Sequence, residues 1–311
     1  MHKNILNQIV TNNNFAWDSS LSERPEEFVV KLSKKSLIEL HNNKDKLKEK
    51  KIKNFPSLIQ NIILFKKNKI INGPGLFVIE GVSFVSFSST EIKDIYLLIS
   101  MILGELLEQD SKGSKLITVK NIGKSLSTGG RYHQTRDGGS FHTDGPHWNE
   151  PPDILGLLCI NPAFEGGVSK FISVYTIHNI ILQLGIDVLE PLYNDFFFDR
   201  REEVSADLRT ISKPIFSFQD NKLNCRFLKD YIISGSKIKD VDLSTSQNIS
   251  INVLEKTTKD SNNALNYNLK NNDMVFSHNH RLFHGRTSFK DSEEIGKERE
   301  LLRVWIKTNL N

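Results

Sequence analysis

Apolar residues recur along this chain in two textures. Up to about residue 110 they fall at spacings of three and four, the mark of helices that bury one face. Residues 31–53 place Leu32, Leu37, Ile38, Leu40 and Leu47 among lysines and asparagines, and Pro56 separates them from a second apolar segment at 58–65. Gly73-Pro74-Gly75 predicts a turn, followed by a strand over 76–79. Ser88-Ser89-Thr90-Glu91 is a capping-box signature, and it opens the strongest helical pattern of the chain, residues 92–107.

From residue 115 onward the apolar runs become short or alternating and are divided by Gly, Asn, Asp and Pro. Strands are predicted over 116–119, 154–160, 168–174, 196–198, 215–218, 223–227, 265–269, 274–277 and 301–308. The run ILGLLCI at 154–160 is almost wholly apolar, as expected of a strand covered on both faces. Asp220-Asn221 predicts a hairpin turn. Helical spacing returns at 177–184 and, weakly, at 244–263. No repeat of 20–50 residues is present, which excludes solenoids and propellers. The pattern predicts a mainly β fold with flanking helices, a sandwich or jelly roll. It is read as one domain spanning residues 1–311, with 1–110 a helix-rich scaffold and 111–311 the β core that carries the site.

Composition narrows the class. With 311 residues and 38% hydrophobic content, the chain can bury a substantial core. The formal charge of +4 comes from 41 basic against 37 acidic residues, so no basic stripe for nucleic acid is expected. The lysines of 44–53 are interrupted by acids and apolar residues and read as a solvated helix face. The two cysteines, Cys159 and Cys225, sit in apolar runs and form no C-x-x-C; they are expected to be buried free thiols in a reducing compartment. No apolar run is long enough for a membrane span or signal peptide, and the expected location is cytoplasmic. A small-molecule substrate is expected, with no nucleic acid or membrane partner.

Candidate chemistry centres on YHQTRDGGSFHTDGPH, residues 132–147. His142 and Asp144 are two apart, so on extended backbone both face one side. An imidazole and a carboxylate converging on one point suit a divalent metal, and a distant histidine would complete a two-histidine, one-carboxylate facial triad. The segment HNHRLFHGRTSF offers His278, His280 and His284. These allow a helical i,i+4 pair, an H-x-H pair on a strand, or a single ligand, and spacing alone leaves the three open. His41, His133, His147 and His178 read as surface, loop or supporting residues. Gly129-Gly130 and Gly138-Gly139 lack the Lys-Ser/Thr of a phosphate loop and read as a lid over the barrel mouth. His278-Asn279-His280 lacks the ββα context of an HNH nuclease.

NNDMVFSHNHRLFHGRTSF, residues 271–289, resembles the C-terminal signature of the taurine-dioxygenase-like (TauD/TfdA) family of Fe(II)/2-oxoglutarate oxygenases. The matching residues are Asp273, an apolar run, Asn279, Arg281, Leu282, Phe283, His284, Gly285 and Arg286. The resemblance extends to His142 and Asp144, to Gly166-Gly167 with Ser169, and to Arg299-Glu300-Leu301-Leu302-Arg303. It spans residues 131–305.

The resemblance implies a double-stranded β-helix core, with Fe(II) bound by His142, Asp144 and His284. It further implies that 2-oxoglutarate is held by Arg299 with Ser169, a pairing that suits a carboxylate because arginine presents a charged, bidentate fork. Arg303 would hold an acidic group of the substrate, pointing to a free amino acid or related small acid. The spacing from His284 to Arg299 is slightly longer than the family's common one, so Arg303 is an alternative anchor for 2-oxoglutarate. Gln134, Thr135 and Asp153 are candidate pocket residues. The implied reaction consumes O₂, decarboxylates 2-oxoglutarate to succinate and CO₂, and hydroxylates (or desaturates) an unactivated C–H. Asp144 argues against halogenation, because family halogenases replace that carboxylate with a small residue. The sequence is also compatible with a cupin-type metal enzyme using His278 and His280 without 2-oxoglutarate, and with a non-catalytic sensor on the same fold.

Overall fold

In the computed structural model, residues 4–110, 112–123, 135–201 and 208–310 are described. A seven-stranded sheet forms the frame. Its order runs Val29–Val30, Leu76–Ile79, Met274–His278, Ile154–Asn161, Glu300–Lys307 and Glu105–Leu106, with Ile117–Lys120 also paired to Glu300–Lys307. All of these pairings are antiparallel except the first. A second sheet of Ala264–Tyr267, Ser169–Ser173 and Leu282–Arg286 faces it. The chain passes from one sheet to the other between Asn161 and Ser169 and again through Asn279–Arg281. This is the double-stranded β-helix, or jelly roll.

Strand alternation explains the layers. In Glu300–Lys307, Leu302, Val304 and Ile306 belong to the core shared with the N-terminal helices, and Leu301 to the core between the sheets. In Leu76–Ile79, Phe77 and Ile79 face the helices while Leu76 and Val78 face the second sheet. Both faces are covered, which is why these strands read as nearly continuous apolar runs. A third cluster built on Ile172 and Phe283 covers the outside of the small sheet.

The capping box at Ser88 and Glu91 opens the helix Ser89–Leu103. That helix ends four residues before the predicted boundary. At Gly104 an added Cβ would lie 2.3 Å from the carbonyl oxygen of Lys307, and the next residues pair as a short strand with Ile306 and Lys307. The hairpin at Asp220-Asn221 has both residues at positive φ, +50° and +58°, the geometry of a type I′ turn. Helices are not confined to the first third of the chain. Val174–Leu184 and Thr245–Lys259 pack together outside the small sheet, and Lys229–Lys239, which the apolar pattern does not predict, packs against the strand Asp195–Asp199. Both cysteines are buried and free. No helix among the described residues is long and apolar enough to cross a membrane.

Candidate active site

His142 lies on the open edge of the small sheet, where it exchanges both backbone hydrogen bonds with His284, at 3.1 and 2.9 Å. This two-residue bridge joins segments 142 positions apart in sequence and sets the two rings 4.4 Å apart. Asp144 follows on the same face. Its Oδ1 lies 3.7 Å from His142 Nε2 and 3.6 Å from His284 Nε2. Among the described residues, His142, Asp144 and His284 are the one group able to hold a metal ion, with ligand atoms all within 4.8 Å of one another.

The surroundings prepare these atoms. His142 Nδ1 lies 2.8 Å from the Ser140 carbonyl; a proton held there leaves Nε2 with its lone pair toward the site. Burial, reinforced by the facing His284, pushes the His142 pKa down to about 4 against the pull of Asp144, so the ring is neutral at pH 7. Burial by itself would raise the Asp144 pKa. The Arg303 guanidinium and the two histidines outweigh it and hold the carboxyl below the usual range. The neutral His142 imidazole, the facing His284 nitrogen and an ionised carboxylate oxygen match the two-histidine, one-carboxylate donor set of a facial Fe(II) site.

The backbone of Asp144 is fixed separately. Its N–H donates to Asn279 Oδ1 at 2.8 Å, and Asn279 Nδ2 donates to the Asp144 and Pro152 carbonyls at 2.9 Å each. Asp144 Oδ2 accepts from Trp305 Nε1 at 2.7 Å and faces Arg303 Nη1 at 3.4 Å. Arg303 Nε donates to Gln109 Oε1 at 2.8 Å.

A cavity of about 90 Å³ opens beside the three ligand candidates and is lined by Ser169, Arg299 and Arg303, with Leu155, Leu157 and Leu301 among its apolar walls. Arg299 is 4% exposed. Its guanidinium lies over the Phe289 ring, 5.0 Å from its centre, and has no ion-pair partner among the described residues. Gly167, at φ +65°, borders this side chain: an added Cβ would sit 3.1 Å from Arg299 Nε.

The structure therefore brings together His142, Asp144, His284, Ser169, Arg299 and Arg303. Asp153 is not with them, which corrects its assignment to the pocket. It lies behind the Asp144 loop, where it contacts His280 Nε2 at 3.0 Å and accepts the Thr308 N–H at 2.8 Å. Thr135 is buried and does not line the cavity; its carbonyl accepts from Arg286. Gln134, His133 and Gly129-Gly130 lie outside the described residues. The His278 and His280 rings are 5.9 Å apart and nearly perpendicular, and His280 is engaged with Asp153, so the H-x-H arrangement is not formed. Arg281 reaches away from the site to the carbonyls of Ile70, Ile71 and Gly73. Trp305, Asn279 and Gln109 also belong to the site, although the sequence assigns none of them a role there. The alternation that turns Arg303 inward also turns Trp305 inward, and was a sufficient signal for it.

Comparison with known proteins agrees with this geometry. FR-33289 synthase of Streptomyces rubellomurinus is 27% identical over 241 residues, covering 76% of this chain and 69% of that protein. The taurine hydroxylase-like protein SAT17 of Stachybotrys chartarum is 24% identical over 168 residues, 53% of this chain and 41% of that protein. Among solved structures, asparagine oxygenase with Fe(II), 2S,3S-3-hydroxyasparagine and succinate superposes with a TM-score of 0.70 at 14% identity, covering 90% of this chain and 94% of that one. The non-haem iron oxygenase OrfP with Fe and α-ketoglutaric acid gives 0.64 at 15% identity, covering 90% and 94%. The model of the taurine catabolism dioxygenase TauD, TfdA family matches residues 56–305. The chain belongs to that family of non-haem Fe(II)/2-oxoglutarate-dependent oxygenases.

Proposed function

We propose that this protein hydroxylates an unactivated C–H of a small acid, in the first instance a free amino acid, with His142, Asp144 and His284 holding Fe(II). The observation that carries the reading is the convergence of these three residues with Ser169, Arg299 and Arg303 on one small cavity. When bound, Fe(II) with 2-oxoglutarate and O₂ supplies the oxidising power, 2-oxoglutarate leaving as succinate and CO₂.

The chain's own residues bind and orient. Arg299 is the stronger candidate for the far carboxylate of 2-oxoglutarate, because its buried guanidinium has no carboxylate partner among the described residues, and Ser169 offers a hydroxyl on the same wall. Arg303 already faces Asp144 and Gln109, which leaves its second terminal nitrogen for an acidic group of the substrate. Leu155, Leu157 and Leu301 supply apolar walls that keep water from the reacting carbon. The relatives support an amino-acid substrate: asparagine oxygenase was solved with a hydroxyasparagine and OrfP with (3S)-hydroxy-L-Arg.

Anaerobic titration of the Fe(II)-loaded protein with 2-oxoglutarate, followed by visible charge-transfer absorption, tests the site. The wild-type protein should develop the band and His142→Ala should not. A wild-type protein that develops no band, or a His142→Ala protein that keeps it, would overturn the assignment.

A further inference from the structure

We propose that Trp305 is a positioning residue of the metal centre, whose indole N–H keeps Asp144 a one-oxygen ligand. The inference rests on the reading of His142, Asp144 and His284 as ligands. A carboxylate has two equivalent oxygens, and a metal that captures both loses an open position. Here the two oxygens have different surroundings. Oδ1 faces both histidine Nε2 atoms, at 3.7 and 3.6 Å. Oδ2 is turned away and accepts from Trp305 Nε1 at 2.7 Å. Arg303 Nη1, at 3.4 Å from the same oxygen, is at the outer limit of a hydrogen bond, so the indole is the nearer donor.

Trp305 is suited to the task because it is itself held. It is 6% exposed, and its ring meets Trp148 edge-to-face at 4.8 Å and 84°. The Trp148 carbonyl in turn accepts from Arg226 Nη1 at 2.9 Å. For Asp144 to swing Oδ2 toward the histidines, a buried indole N–H would lose its partner. An indole also carries no charge, so it fixes the carboxylate's angle while leaving its charge for the metal. Asn279 fixes the backbone of Asp144 and Trp305 fixes its side-chain rotation, and the two together specify one oxygen at one place.

The test uses Co(II) as the probe, titrated anaerobically into the chelator-stripped full chain without cosubstrate and followed by its visible d–d spectrum. Trp305→Phe keeps the ring against Trp148 and removes only the N–H. It should bind Co(II) about 10- to 100-fold more weakly and with an altered d–d spectrum, while the thermal midpoint of the metal-free protein stays close to wild type. Unchanged affinity and spectrum would overturn the proposal. Wild-type protein that fails to bind Co(II), or binds it equally well as His142→Ala, would overturn the underlying ligand assignment instead. A second measurement needs no substitution: among the three tryptophan indole N–H signals, that of Trp305 should stay protected from exchange when Zn(II) is added to the wild-type protein. Loss of that protection on metal binding would contradict the proposal.

Discussion

Asn279 grips both backbone groups of Asp144, accepting its N–H at 2.8 Å and donating to its carbonyl at 2.9 Å. The two residues are 135 positions apart, and this contact is what places the carboxylate loop against the strand-to-strand crossing at Asn279–Arg281. Asn279→Ala leaves the Asp144 N–H and two carbonyls without protein partners. A loss of roughly 2–4 kcal/mol in urea unfolding of the metal-free protein is expected, together with weaker Fe(II) binding. Asn279→Asp should be worse, since its carboxylate faces the carbonyls of Asp144 and Pro152 with no donor. Wild-type stability in either variant would show that Asn279 does not hold the Asp144 loop.

Arg299 should be separable from the metal. Truncating one member of a buried charge pair costs about 2–5 kcal/mol, so Arg299→Gln should weaken 2-oxoglutarate binding about 30-fold or more while Fe(II) affinity holds. Arg299→Lys should recover part of it. Equal 2-oxoglutarate affinity in wild type and Arg299→Gln, with loss in Arg303→Gln, would move the anchor to Arg303.

Gly167 supports the same side chain from the backbone. At φ +65°, with Ala163 Cβ 2.9 Å and Arg299 Nε 3.1 Å from an added Cβ, Gly167→Ala should cost about 1–2 kcal/mol in stability from the left-handed backbone. It should also raise the 2-oxoglutarate dissociation constant, because Arg299 must yield. A variant with unaltered cosubstrate affinity would show that Arg299 has room to shift.

His178 makes stability depend on pH away from the site. It is fully buried against Tyr193, 2.7 Å from the hydroxyl, and burial pushes its pKa down to about 4. The unfolded chain, with a pKa near 6.5 at this residue, therefore binds a proton that the folded chain refuses. The His178 contribution is complete above pH 6.5 and is lost as pH falls toward 4. Between pH 7 and 5 the loss should be roughly 2 kcal/mol. Urea unfolding of wild type and His178→Leu at both pH values measures it; an equal pH dependence in the two proteins would contradict it.

Much of this was legible in the chain because the relevant signals are local. The inward and outward alternation of residues 301–306 and the capping box at Ser88 each report one element, and a turn residue such as Asn221 needs no distant partner. Asp153 was misread because its partners, His280 and Thr308, are 127 and 155 positions away, and no local pattern separates a buried structural carboxylate from a pocket one. Lys229–Lys239 is not predicted because Tyr231, Ile232 and Ile233 form one patch that Gly235 interrupts, leaving Ile238 alone beyond it. Packing against Asp195–Asp199, rather than propensity, makes it a helix. The choice among His278, His280 and His284 was likewise open to spacing, and is made in the structure by the backbone bridge between His142 and His284.

The most direct measurement is succinate release from 2-oxoglutarate under air with Fe(II) and ascorbate, across a panel of free amino acids and related small acids, for wild type beside His142→Ala. Wild type should form succinate at a rate that a member of the panel stimulates, with the hydroxylated acid formed alongside, and the His142→Ala protein should not. Metal-replete wild-type protein that neither binds 2-oxoglutarate anaerobically nor forms succinate with any member of the panel would contradict the proposed function.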